Sequence, residues 1–281
     1  MTNTSAQRQT VGADRNGPVN GAFRYPLLTI TAALVPVSVF FLLVPQVDLW
    51  VSGLFYTDGQ GFTAEQNGLL QKIRHLGPHL VTWIAAGSVA ILVVKLVLPD
   101  RPPVLPLRIP VFLISTLILG PGILVNAILK DNWGRPRPRA VEEFGGELPH
   151  QLVWVPTDYC ASNCSFVSGE ASAGIWLVAL AFVVPAAWRR AVLVFVLPLC
   201  LVLSVNRIAF GGHFLSDTLI SWGLTLMVII LVHRLFYTAR FHPTDEGIDR
   251  WLTRSGRAVQ STIRGLVSRS HATIRRFLAM F

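Results

Sequence analysis

Six apolar stretches, near residues 27–47, 80–98, 109–129, 167–187, 191–208 and 214–237, limit what this chain can fold into more than any other feature. Each approaches the ~20 residues with which an α-helix crosses the hydrocarbon of a bilayer. In that medium a segment must satisfy its own backbone N–H and C=O groups, so such stretches become helices. Their close succession along the chain predicts an all-α fold, a polytopic membrane bundle of six transmembrane helices over residues 27–237. Composition agrees, with 52% hydrophobic and only 14% charged residues. Inside the spans Lys95 and Asp217 are the main ionisable groups. The first stretch is too long for a signal-peptide core and no small-residue cleavage site follows it, so it is expected to be retained.

The flanks read differently. Residues 1–26 are polar, carry Arg8, Arg15 and Arg24, and are predicted to form a disordered cytoplasmic tail. Residues 238–281 place Ile248, Trp251, Leu252, Val259, Ile263 and Leu266 at mostly three- and four-residue spacings with arginines between them. That pattern predicts a basic amphipathic helix lying on a membrane surface. The net charge of +9 has the same origin, because the basic residues sit in loops and tails beside the spans. Anionic lipid headgroups are therefore the expected partner, and nucleic acid is not. With the N-terminus inside, the loops and N-terminal tail carry equal numbers of Lys and Arg on the two sides. The arginines from Arg240 onward break the tie and predict that both termini are cytoplasmic.

Several polar features suggest little chemistry. His75 and His79 have the spacing of a metal pair, but Gly77-Pro78 between them is expected to break the helix that would align them. Cys160 and Cys164, in an otherwise acidic loop, either close a small disulfide or remain free thiols. With no His nearby they make a poor zinc site, and no metal or other cofactor is expected.

Three other clusters, all predicted to lie on the outer side, carry more. Lys130-Asp-Asn-Trp-Gly-Arg135-Pro-Arg137-Pro-Arg139 leaves directly from the third span, on the side where positive charge is disfavoured. Ser168-Gly169-Glu170 opens the fourth span, where free helical N–H groups make an anion site. Plain capping by Ser168 would use the same atoms. Arg207-Ile-Ala-Phe-Gly-Gly-His213-Phe-Leu-Ser-Asp217 joins the last two spans. If a helix starts near His213, Asp217 falls one turn on, where its carboxylate can orient the imidazole. Arg207 contributes a permanent cation shaped for phosphate. Together these groups suit phosphoryl transfer, which needs charge stabilisation on three equatorial oxygens and an in-line nucleophile.

Lys130-x6-Arg137-Pro138, Ser168-Gly169 and Arg207-x5-His213-x3-Asp217 together resemble the three-part signature of the type 2 phosphatidic acid phosphatases (PAP2), relatives of the vanadium haloperoxidases. The resemblance covers roughly residues 45–237 and implies a six-helix core in the bacterial inner membrane, with the site on the periplasmic side. It implies a metal-independent lipid phosphate phosphatase in which His213 becomes phosphohistidine and Asp217 orients it. Lys130, Arg137, Ser168, Gly169 and Arg207 would then hold the phosphate. Two departures stand out: Asn206 replaces the usual Ser, and Glu170, preceded by Val167 where Pro is usual, occupies the place of the His that protonates the leaving group. The Glu favours a pyrophosphate or saccharide-lipid substrate over phosphatidic acid; phosphatidylglycerol phosphate, undecaprenyl pyrophosphate and the phosphates of lipid A are further candidates. The alternatives are a lipid phosphotransferase and a catalytically silent lipid-binding protein.

Overall fold

The computed structural model describes residues 26–278, so the N-terminal tail expected to be disordered lies outside it. Helix α1 (Pro26–Leu43) is followed by a short α2 (Gln46–Gly53) and a two-stranded hairpin, β1 (Tyr56–Thr57) with β2 (Gly61–Phe62). A 3-10 turn at Thr63–Gln66 leads into α3 (Gly68–Val97), which starts on Asn67, whose side chain accepts from the N–H groups of Leu69 and Leu70. Helix α4 (Arg108–Leu117) continues directly into π1 (Ile118–Lys130), a stretch of wider, π-type coil. After a long loop come α5 (Gly169–Trp176), α6 (Ala179–Val183), α7 (Ala186–Ala209), α8 (Leu215–Tyr237) and α9 (Asp245–Leu278).

Five of these segments are long and apolar enough to cross a membrane: α1, α3, α4 with π1, α7 and α8. The fourth expected span is shorter than 167–187 suggested. It consists of α5 and α6, and α6 gives way to extended backbone at Val184 just before Pro185. Helix α5 packs against α3, π1, α7 and α8, so it is the core of the bundle and faces protein nearly all round. Its small residues allow that closeness. A side chain at Gly174 would sit 3.6 Å from Leu203, and Ser172 Oγ lies 2.7 Å from Thr225 Oγ1. Trp176, fully buried, donates its indole N–H to Thr116 Oγ1 at 2.9 Å.

One expectation is overturned. Helix α3 does not break at Gly77-Pro78 but runs through Pro78 to Val97. Proline removes one backbone hydrogen bond, and packing keeps the helix continuous: a side chain at Gly77 would come within 3.0 Å of Leu203 on α7. His75 and His79 do share a helix face, with ring centroids 6.4 Å apart, yet no group of three potential ligands forms among the described residues.

At the end of the bundle away from the polar clusters, α9 docks on the turn between α3 and α4. Asp249 pairs with Lys95 at 2.8 Å, and Asp245 accepts from the Arg108 backbone N–H and its Nε. The helices come so close that a Cβ at Gly256 would lie 2.2 Å from the Leu96 carbonyl oxygen. Trp251, Val259, Ile263 and Leu266 stay exposed.

Candidate active site

The connection between α7 and α8 sets the position of His213. Gly211 has φ +56°, and a Cβ there would lie 2.5 Å from the ring of Phe62. Only glycine allows so tight a return of the chain. His213 is 1% exposed, and its Nδ1 lies 2.8 Å from the carbonyl oxygen of Ser165. A carbonyl can only accept, so Nδ1 carries the proton and Nε2 keeps its lone pair. That Nε2 is buried and has no hydrogen-bond partner among the described residues. Burial, then the charges of Arg207, Lys130 and Arg137, push the imidazole well below the usual histidine range. The ring is therefore neutral, with an unblocked lone pair among cations, which is what a nucleophile requires.

Asp217 lies beside His213, as its spacing suggested, but makes no hydrogen bond to it. The helix begins at Leu215, two residues beyond the histidine, and Asp217 Oδ2 stands 4.0 Å from Nδ1. That oxygen instead accepts from the Phe214 N–H at 2.9 Å and from Ser165 Oγ at 2.5 Å. Its partner Oδ1 takes Arg135 Nη1 at 2.5 Å. Asp217 thus holds Ser165, and Ser165 holds the imidazole. It is a positioning residue one step removed from the ring.

Arg135 and Asp48 complete that support, and sequence reasoning missed both. Arg135 is fully buried and bridges Asp217 to Asp48, whose Oδ2 lies 2.9 Å from its Nη2. Its Nε donates to the Gln151 carbonyl at 2.9 Å, and the ring of Phe214 lies 4.5 Å below its guanidinium. Burial opposes the charge on Arg135, yet the two carboxylates outweigh it and raise its pKa above the ordinary arginine value. The remaining Asp48 oxygen accepts the Ser216 N–H at 2.9 Å. Asp48, an ionisable residue directly after an apolar span, was the available signal.

Of the other expected residues, Arg207, Lys130 and Arg137 stand close enough for their charges to act on His213. Gly169 heads α5 after its cap Ser168, which is fully buried and whose Oγ accepts from the Ala171 N–H at 3.2 Å. A Cβ on Gly169 would meet Asn126 Oδ1 at 2.6 Å and Lys130 Nζ at 3.4 Å, so glycine brings the helix N-terminus against the lysine. Arg137 donates from Nη2 to the backbone and side-chain oxygens of Asn163, at 2.7 and 2.9 Å. Asn163 lies in the short loop closed by a Cys160–Cys164 disulfide. Burial, followed by repulsion from Arg139, lowers the pKa of Arg137. Glu170 Oε2 lies 2.6 Å from Arg207 Nε, an ion pair at the entrance. From there a groove of about 460 Å³ runs along the flank of the bundle, past Asn126, Lys130 and Gly169 to Val81, Leu117 and Ile118.

The family model described as the PAP2 superfamily matches residues 110–241. A protein named lipid A 4'-phosphatase from Rhizobium leguminosarum is 42% identical over 115 residues, which is 41% of this chain and 49% of that protein. A protein of the same name from Francisella tularensis subsp. novicida is 32% identical over 203 residues, 71% of this chain and 90% of the relative. The chain spans about half the length of the two Rhizobium relatives it matches. A solved structure titled as a transmembrane PAP2 type phosphatidylglycerolphosphate phosphatase from Bacillus subtilis is 20% identical, with a TM-score of 0.49, covering 78% of this chain and all of that one.

Proposed function

Because the chain belongs to the PAP2 superfamily, we propose that it is a membrane phosphatase removing a phosphoryl group from a lipid headgroup through a phosphohistidine. The observation that carries this reading is the buried, unpartnered Nε2 of His213, on a ring that feels the charges of three cations. In the first step Nε2 forms a bond to phosphorus while the bond to the headgroup oxygen breaks. Lys130, Arg137, Arg207 and the amides opening α5 take up the charge on the equatorial oxygens. As the ring becomes cationic, the Ser165 carbonyl holds its Nδ1–H, and Asp217 keeps Ser165 in place. Water then attacks the phosphohistidine and restores the imidazole. The three cations supply the charge that a metal ion would bring, and chelators should leave the rate unchanged.

Glu170 fits the leaving-group step through its bond to Arg207. An arriving phosphate dianion competes for that guanidinium. The carboxyl group so released is free to pass a proton to the departing oxygen. The groove supports a lipid substrate, since its apolar part lies along the helices while its polar end carries Lys130, Gly169 and Glu170. The likeness to lipid A 4'-phosphatases points to a phosphorylated saccharide lipid. The arginines of α9, at the opposite end of the bundle, support a periplasmic site in a bacterial inner membrane.

The test is phosphate release by purified protein from a saccharide-lipid phosphate, a lipid pyrophosphate, phosphatidylglycerol phosphate and phosphatidic acid. A reaction with labelled substrate quenched in alkaline detergent should trap label on His213, because a phosphorus–nitrogen bond survives alkali and not acid, and His213→Ala should release nothing. Wild-type turnover in His213→Ala would end this reading. Glu170→Gln should slow an alkyl phosphate by at least ~10²-fold and an aryl phosphate, which leaves without a proton, far less. Equal losses on both would remove Glu170 as the acid.

A further inference from the structure

The mouth of the site carries more positive charge than one phosphoryl group uses. Beyond Lys130, Arg137 and Arg207, two arginines stand near it. Arg139 lies 3.9 Å from a carboxylate oxygen of Glu65. Arg74, half-buried in the second turn of α3, has no ion pair among the described residues. Its guanidinium lies 5.3 Å over the ring of Phe210, and the guanidinium of Arg207 lies 6.0 Å from the centre of the same ring. The two cations are thus no farther apart than the sum of those distances, which is within the reach of one headgroup. Arg74 also faces a cavity of about 320 Å³ lined by Glu65, Gln71, His75 and Phe210. Ligand sites combine enough room with a few convergent polar groups, and this cavity has both beside the reacting phosphate.

We propose that this cavity is a second anion subsite, where Arg74 takes a second phosphate on the headgroup whose first phosphate faces His213. The proposal rests on the phosphatase reading and adds a substrate class to it: headgroups carrying two phosphates. The second phosphate is either a separate monoester on a saccharide or the distal group of a pyrophosphate. Arg74 is then a specificity residue, separate from the groups that hold the reacting phosphate. Glu65, which lines the same cavity, disfavours an anion that enters without engaging Arg74, which sharpens the choice.

The test compares a disaccharide lipid with two monoester phosphates, the same lipid with one, and a polyprenyl pyrophosphate, using the full chain in mixed micelles. Arg74→Gln should raise KM about tenfold for a two-phosphate substrate, equivalent to ~1.4 kcal/mol. Its kcat should stay within twofold, and the one-phosphate lipid should be unaffected. Which two-phosphate substrate shifts identifies the source of the second group. Arg74→Lys should keep most of the preference, because it keeps the charge while losing the flat stack on Phe210. Equal KM changes for all three lipids, or none, would overturn the subsite. If the wild type hydrolyses no lipid, the phosphatase reading fails instead. Equilibrium binding of the one- and two-phosphate lipids then decides the subsite, which stands only if Arg74→Gln weakens the two-phosphate lipid alone.

Discussion

His213 and the two arginines flanking Pro136 show how differently single residues announced themselves. His213, Arg137 and Arg207 were legible because their chemistry goes with a fixed spacing. Arg135 was not, since nothing local separates it from the cations of the same run, although it is fully buried and Arg137 is not. The two should respond oppositely to substitution. Arg135→Met leaves Asp48 and Asp217 buried without their cation, and removing one partner of such a network costs about 3–5 kcal/mol. Thermal melts in detergent should show it severely destabilised. Arg137→Lys should melt like wild type yet lose about 10²-fold in kcat/KM, because a point charge does not replace a two-pronged donor. The histidine makes a pH prediction. Its folded pKa lies well below 6.5, chiefly through burial, so the nucleophilic form persists under mildly acid conditions. The acid limb of kcat/KM should therefore fall well below pH 6.5, and Lys130→Gln should move the limb of the residual activity upward. The same shift bears on stability. The unfolded chain binds the proton first, so the contribution of His213 is intact above about pH 6.5 and declines as pH falls below it.

Among the elements, the long helices were readable from hydropathy and their ends were not. Hydropathy marked 80–98, whereas α3 begins at Gly68, because the polar residues before His79 are helical above the apolar part. Hydropathy also marked 167–187 as a full span. It does not report that Ser168 caps a helix inside the protein or that the chain leaves it before Pro185. Asp217 does lie beside His213, yet it supports the ring through Ser165, for a related reason. A spacing of four residues aligns side chains fully only if the helix includes both, and here it starts after His213. In the loop before α5 the sequence allows either a bridge or free thiols, and the loop is bridged. Its closure steadies Asn163, which holds Arg137. Replacing Cys160 and Cys164 with serine should cost about 2 kcal/mol for so short a loop. It should also raise KM more than it lowers kcat, since Arg137 loses a steady support. Free-thiol counting on unreduced protein checks the premise; two reactive thiols would dispose of it.

For the whole molecule, the order of the helices brings the three polar clusters to one end and both α9 and the start of α1 to the other. That much followed from counting spans. The buried Asp48–Arg135–Asp217 chain did not, because its members are far apart in sequence and meet only in the folded bundle. A reporter fused after residue 281 should be cytoplasmic, and impermeant reagents should label the loop 131–165 from outside. The opposite pattern would invert the site assignment. The docking of α9 has a mechanical result. It grips α3 through Lys95 and α4 through Arg108, and the same two helices, with π1 continuing α4, form the walls of the lipid groove farther up. Two arms pinned at one end are held at a fixed spread at the other. Removing residues 245–281 should leave the chemistry of His213 intact and broaden the range of acyl-chain lengths that the groove accepts.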